Sequence, residues 1–381
     1  MSERAIAFGI IGGGLMGREF ASAAARWVHL APIGARPEIV AVCDPDPKVR
    51  AWYERLPSPP KLYADHRELL ADPRVEAVYC AVPHHLHEAI YVDVLASGRH
   101  LLGEKPFGID RAANRAITAV IDEHPELLVR CSSELPFFPG AQRIARWIEE
   151  RRFGRVIAVR SAFLHSSDLD PRKAINWKRR AETNGASGVL NDLGMHALHM
   201  PLRAGWMPSS VTAVLSNVVP TRADATGADV ACDTWDNASL LCRVPYDDYE
   251  FAMHVDVKRI APGQTNTWLL EIDGTEGSIA FTTKEPKTLR TMSYVPGAEQ
   301  TFATVDLGYV SAYPAVTGAI FEFGFSDAVL QMWAAFVDEL ANGEEMQGAY
   351  PCASPQEVAA THAIWDAAMA SQADRTGVSV A

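Results

Sequence analysis

Short apolar runs at residues 5–11, 39–43, 77–82, 100–102 and 127–131 alternate with stretches of helical periodicity at about 15–27, 47–55, 87–97 and 112–123. The runs carry almost no polar positions, as expected of strands buried on both faces of a parallel sheet. Strand and helix in alternation predict a doubly wound α/β domain.

The pattern changes near Pro136-Phe137-Phe138-Pro139-Gly140, a Pro/Gly-rich stop that suggests a boundary, with domains at 1–133 and 134–381. Beyond it the sequence predicts a helix at about 142–151, a strand at 156–163, an irregular polar stretch at 166–186 and a helix at about 188–203. Alternating segments then follow at 211–218, 238–244, 250–257, 269–273 and 278–282, with Gly274-Thr275-Glu276-Gly277 as a tight hairpin loop. Strands in succession suggest an antiparallel or mixed sheet. Residues 294–325 show no clear period, and helices are expected at about 327–341 and 355–373.

Composition narrows the function. The chain has 381 residues, 48% hydrophobic and 22% charged, which is ordinary for a globular protein and excludes a disordered chain or a fibre. Its net charge of −12 argues against a nucleic-acid backbone or an anionic membrane as partner, since both need a cationic face. The charge is uneven: residues 1–133 carry −2, residues 134–203 carry +5 and residues 204–381 carry −15. The six cysteines are scattered without a Cys-x-x-Cys pair, so neither a disulfide framework nor a zinc ribbon is suggested, and a reduced, cytoplasmic setting fits. The N-terminal apolar run is too short for a signal peptide, and no stretch approaches the roughly 18 apolar residues of a membrane span.

Gly12-Gly13-Gly14-Leu15-Met16-Gly17 fits Gly-x-Gly-x-x-Gly directly after the first strand and at the opening of a helix. Gly12 suits the tight turn, Gly14 the approach of a pyrophosphate, and Gly17 close helix–strand packing, while the helix amides hold the phosphates. Asp44 ends the second strand, where a carboxylate accepts from ribose hydroxyls and repels a 2′-phosphate, so NAD is favoured over NADP. Glu104-Lys105-Pro106 follows the strand at 100–102 and places an ammonium at the carboxyl end of the sheet, where it can stabilise an alkoxide. Asp192 and His196 stand four residues apart on one helix face, and an imidazole can take and return a hydroxyl proton. His84, His85, His87, His196 and His199 invite a zinc reading. Pro83, His84 and His87 are more simply explained as packing around a nicotinamide ribose, and no metal is expected.

Taken in order, Gly12-x-Gly14-x-x-Gly17, Asp44, Ala81-Val82-Pro83 with His87, Glu104-Lys105-Pro106 and Asp192-x-x-x-His196 resemble the Gfo/Idh/MocA family of NAD(P)-dependent oxidoreductases. The resemblance implies a Rossmann domain followed by an α/β domain with a large open sheet, whose outer face commonly forms homodimers and homotetramers. It implies that Lys105 and His196 act on the hydroxyl being oxidised, and that the substrate is a sugar, inositol or related polyol. The chain departs from the family at Ser132-Ser133-Glu134-Leu135-Pro136, where an Asn-Tyr-Arg-like segment is common, and at His199, where an aspartate is common. Glu134, His199 and the segment Trp177-Lys178-Arg179-Arg180 are therefore candidate substrate-binding residues. A Trp face can stack on a sugar ring while Lys and Arg hold an anionic group.

The expected function is NAD-dependent oxidation of a secondary hydroxyl of a sugar, sugar derivative or cyclic polyol, with His196 as base assisted by Lys105 and Asp192. One alternative is an NAD-dependent glycosidase that oxidises the sugar transiently, often at C3, eliminates the aglycone and reduces the ring again. A sensor without turnover would need neither Lys105 nor the Asp192/His196 pair.

Overall fold

The computed structural model describes residues 3–308, 311–318, 323–348 and 350–381. The chain divides into two compact units, one of residues 1–108, 112–137 and 311–355, the other of residues 109–111, 138–310 and 356–381.

In the first unit, β1 (Arg4–Ile11), β2 (Ala35–Cys43), β3 (Lys61–Tyr63), β4 (Ala77–Cys80), β5 (His100–Glu104) and β6 (Val129–Ser132) form a six-stranded sheet, order β3-β2-β1-β4-β5-β6. All its pairs are parallel. Ile6, Phe8 and Ile10 of β1 are fully buried, which accounts for the unbroken apolar run. The connecting helices are α1 (Leu15–Ala25), α2 (Pro47–Ala51), α3 (His66–Leu70), α4 (His87–Ala96) and α5 (Arg111–Glu123). The chain leaves β1 toward β2 and β3 on one side and returns to β4 on the other, so the strand order reverses at the carboxyl ends of β1 and β4. Ligands bind doubly wound sheets at such a point.

A helix from far along the chain completes this unit. Trp333 of α9 (Phe325–Asn342) stacks on Phe20, ring centroids 3.4 Å apart, and meets Phe8 at 5.7 Å and Tyr79 at 4.7 Å edge-on. Ion pairs Arg26–Asp327 and Arg130–Glu339 tie its two ends down. The sequence pattern suggests a single boundary at 133/134; the structure instead groups residues 311–355 with the first unit, because the apolar face of α9 is matched by aromatic side chains on β1, α1 and β4.

In the second unit, β7 (Val156–Leu164), β8 (Ser210–Ser216), β11 (Asn237–Tyr246), β12 (Tyr249–Lys258), β13 (Thr267–Gly274), β14 (Gly277–Thr282), β15 (Thr288–Ser293), β16 (Ala303–Asp306) and β17 (Val378–Ser379) form one sheet. Its order is β16-β15-β14-β13-β7-β12-β11-β8-β17, antiparallel except for the β7–β12 pair. A separate ribbon pairs β9 (Thr221–Ala223) with β10 (Asp229–Ala231). Thr275 and Glu276 form the expected loop between β13 and β14.

Strict alternation on β11 buries Ala238, Leu240, Cys242 and Val244 on one face and exposes Leu241 on the other. Helix α8 (Val189–Arg203) lies on the buried face, and α10 (Pro355–Asp374) packs on α8. There a Cβ on Gly194 would stand 2.1 Å from the Trp365 ring, so the two helices approach as only glycine permits. The remaining helices are α6 (Pro139–Glu149) and α7 (Ala181–Asn184). No helix among the described residues is long and apolar enough to cross a membrane.

Candidate active site

The first unit presents a dinucleotide cradle. Gly12 has φ of +92°, and a Cβ there would lie 2.3 Å from the Ala81 carbonyl oxygen. A Cβ on Gly17 would lie 2.4 Å from the Gly12 carbonyl oxygen, whereas one on Gly14 would meet nothing within 4 Å. Two glycines are thus dictated by packing, and the middle one faces open space, which is where a phosphate can approach the backbone. Helix α1 starts there without a side-chain cap or an acidic residue in its first turn. Its amide end is suited to an anion. Leu15 stands exposed at the same edge.

Asp44 leaves β2 with its carboxylate already oriented. Oδ2 accepts from the Gly13 amide at 3.0 Å and Oδ1 from the Asp46 amide at 2.9 Å. A carboxylate has about four lone-pair sites, so ribose hydroxyls can be accepted as well. These residues fit NAD.

After β4, Pro83 precedes a 3-10 turn in which His84 is buried with its ring edge-on to His87. His87 is fully buried; Nε2 donates to the Val82 carbonyl at 3.0 Å, and Nδ1 accepts from the Gly108 amide at 3.4 Å. Its ring stacks on Tyr91. With both nitrogens engaged by backbone, His87 braces the loops after β4 and β5.

The residue before Lys105 is held twice: the Tyr79 hydroxyl donates to Glu104 Oε1 and the Tyr91 hydroxyl to the Glu104 carbonyl, both at 2.7 Å. Half-buried Lys105 therefore extends from a rigid strand end. Glu134, just past β6, is buried, and burial pushes its carboxyl up to about 7; the charge of Glu104 acts in the same direction and that of Lys105 against it.

In the second unit the site is built on α8. Gly188, at φ of +57°, opens the helix where a Cβ would lie 2.7 Å from the Trp235 backbone. Asn191 Nδ2 donates to the Ile109 and Asn184 carbonyls at 2.7 and 2.8 Å, fixing the first turn. His196 is 6% exposed, its ring lies edge-on to Phe163 at 4.9 Å, and its carbonyl accepts from Trp268 Nε1 at 3.0 Å. Asp192, one turn earlier, is fully buried; Oδ1 pairs with Lys178 Nζ at 2.8 Å and Oδ2 with Arg259.

Two residues expected at the substrate are buried against protein partners. Arg179 is fully buried, donating to Asn217 Oδ1 at 2.8 Å, the Val219 carbonyl at 3.0 Å and Asp236 Oδ2 at 3.2 Å. The 3-10 turn at Trp177–Arg179 rotates it inward, while Arg180 stays exposed. His199 is also fully buried and accepts from an Arg203 guanidinium nitrogen at 3.1 Å. Burial and the Arg203 charge push it down to about 3 against the pull of Glu357, so it is neutral near pH 7.

Positive charge around the segment is largely paired: Lys178 with Asp192, Arg172 with Asp170, Lys173 with Asp168 and Arg179 with Asp236. Trp177 is half-buried, with the Lys178 ammonium 5.5 Å from its ring centre.

Arg259 and Asp168 are absent from the expected site. Arg259 had a signal: Phe251, Met253, Val255 and Val257 face inward on β12 and the next inward position is an arginine. Asp168, in an irregular stretch, had none. Among the described residues, no group of three or more His, Cys, Asp or Glu side chains is arranged to hold a metal ion.

Residues 6–130 match the model of an oxidoreductase family with an NAD-binding Rossmann fold, GFO_IDH_MocA, and residues 141–280 match the GFO/IDH/MocA C-terminal domain. The chain is 30% identical to levoglucosan dehydrogenase of Pseudarthrobacter phenanthrenivorans across 72% of each protein. It is 28% identical to trans-1,2-dihydrobenzene-1,2-diol dehydrogenase of Sus scrofa over 63% of this chain, an alignment that spans 65% of that enzyme. The solved structure of levoglucosan dehydrogenase in complex with NADH and L-sorbose superposes with a TM-score of 0.87 at 25% identity, over 99% of both chains.

Proposed function

Since the chain belongs to the Gfo/Idh/MocA family of NAD-dependent oxidoreductases, we propose that it oxidises a secondary hydroxyl of a neutral sugar, sugar derivative or cyclic polyol. The observation that carries this reading is the pair Asp192 and His196 on the first turns of α8, in a chain whose relatives are named for a sugar-type and a diol substrate.

NAD, when bound, supplies the hydride acceptor. Gly12, Gly14, Leu15, Met16 and Gly17 would hold its pyrophosphate on the amides of α1, and Asp44 its adenosine ribose. Pro83, His84, Glu104 and Lys105 would line the nicotinamide end, with His87 behind them. His196 takes the hydroxyl proton on an imidazole nitrogen, and Lys105 donates to the oxygen as it gains negative charge. Glu134, Trp177, Lys178 and Arg180 remain the candidates for the rest of the substrate. The reading extends to a cytoplasmic homodimer or homotetramer; Val214 and Leu241, exposed at 69% and 46% on the nine-stranded sheet, favour an interface there.

A screen of sugars, inositols, sugar acids and aryl glycosides with NAD, recording both reduced nicotinamide and released aglycone, tests the assignment. We expect reduced nicotinamide from neutral polyols. Aglycone release without net redox change would replace the dehydrogenase with an NAD-dependent glycosidase. His196→Ala should bind NAD normally and lose turnover by a factor of about 100 or more, and Lys105→Ala should lose turnover by a similar factor.

A further inference from the structure

A buried row of charges runs under α8. Arg259 bridges two fully buried carboxylates, with Nε on Asp168 Oδ2 at 2.9 Å and a terminal nitrogen on Asp192 Oδ2. Burial alone would raise Asp168; the hydrogen bond and charge of Arg259, with Lys173, outweigh it and hold that carboxyl below the usual range. Asp192 Oδ1 lies 2.8 Å from Lys178 Nζ. The row is exposed only at its lysine ends: the Lys173 side chain is 44% exposed and that of Lys178 31%, against 5% or less for the three groups between them.

The Lys178 backbone is fixed as firmly as its head. Its amide donates to Asn176 Oδ1 at 2.9 Å, and its carbonyl accepts from Asn184 Nδ2 at 2.9 Å and Thr234 Oγ1 at 3.2 Å. Asp192 and His196, four residues apart, share one face of α8 with Cβ atoms about 5–6 Å from each other, and the ammonium stands 2.8 Å from the Asp192 carboxylate.

We propose that Lys178 is a substrate-binding residue whose ammonium, set in place by Asp192 and Arg259, donates to the hydroxyl vicinal to the one that His196 deprotonates. Asp192 is then the anchor of that ammonium and Arg259 a positioning residue. The substrate class narrows to rings that carry a vicinal diol. This assignment rests on His196 being the base of the proposed dehydrogenase.

The test uses the full-length enzyme with NAD, the polyol from the screen that it oxidises fastest, and the deoxy analogue lacking the vicinal hydroxyl. For the wild type, the deoxy analogue should lose about 10- to 100-fold in kcat/KM, the scale of a hydrogen bond to a charged group. Lys178→Met should lose a similar factor on the parent polyol, mainly in KM, and show no further loss on the deoxy analogue. Lys178→Arg should recover part of it, Asp192→Asn should reproduce the Lys178→Met pattern, and NAD affinity should be unchanged throughout. Equal sensitivity of Lys178→Met and wild type to the missing hydroxyl would overturn the proposal, while loss of turnover in His196→Ala would leave the underlying dehydrogenase reading intact. Full activity in His196→Ala, or no polyol oxidised by the wild type, would remove both.

Discussion

Gly12 and Gly14 stand two residues apart, yet a methyl group added to each meets different surroundings. At Gly12 it collides with the Ala81 carbonyl and sits on a backbone of positive φ; at Gly14 it points into open space. Gly12→Ala should therefore cost the apo protein about 1–3 kcal/mol in chemical denaturation. Gly14→Val should leave the apo midpoint within about 0.5 kcal/mol of wild type and weaken NAD binding, measured by fluorescence titration, by more than about tenfold.

His199 gives a second prediction at this scale. Its pKa is depressed from 6.5 to about 3 in the folded chain, so below pH 6.5 the unfolded state binds a proton that the folded state refuses. Its contribution is present above pH 6.5 and is lost as pH falls from there toward 3, at up to about 1.4 kcal/mol per pH unit. His199→Gln should flatten the fall in stability between pH 7 and pH 5, and an unchanged slope would contradict the buried neutral state.

At the scale of elements, Gly194 is the contact of α8 with α10. Gly194→Ala forces a Cβ into Trp365 and should destabilise the protein by about 1–3 kcal/mol; because α8 carries Asp192 and His196, turnover should fall further than NAD affinity. Long elements were legible in the sequence because their periodicity is long: β11, β12, α8, α9 and α10 lie within a few residues of expectation. The strand Lys61–Tyr63 and helix His66–Leu70 escaped, being three and five residues long, too short for a period to show. Arg179 was misplaced for a related reason. In Trp177-Lys178-Arg179-Arg180 every cation reads as surface, and only the sense of one 3-10 turn decides that the middle arginine goes inward to Asp236. Lys105, Asp192 and His196 are candidates because motif spacing marks them, whereas Arg259 needed attention to the inward phase of β12.

For the whole molecule, hydrophobic pattern identifies α9 as a buried helix but says nothing about which sheet it covers. That choice lies in shape, Trp333 filling the space between Phe20, Phe8 and Tyr79. Trp333→Ala should cost about 3–5 kcal/mol and, since the lost contacts lie in the cofactor-binding unit, should lower thermal protection by NAD along with the melting temperature.

The split make-up of that unit also bears on synthesis. Its sheet is translated by residue 137, but residues 138–310 must emerge before α9 follows. At roughly 5–20 residues per second, the nascent sheet waits on the order of ten seconds or more with Phe8, Phe20 and Tyr79 uncovered. During that interval the half-made protein displays the very apolar face that a chaperone binds, and a ribosome-stalled chain ending near residue 300 should be held by such factors where one ending past residue 355 is released.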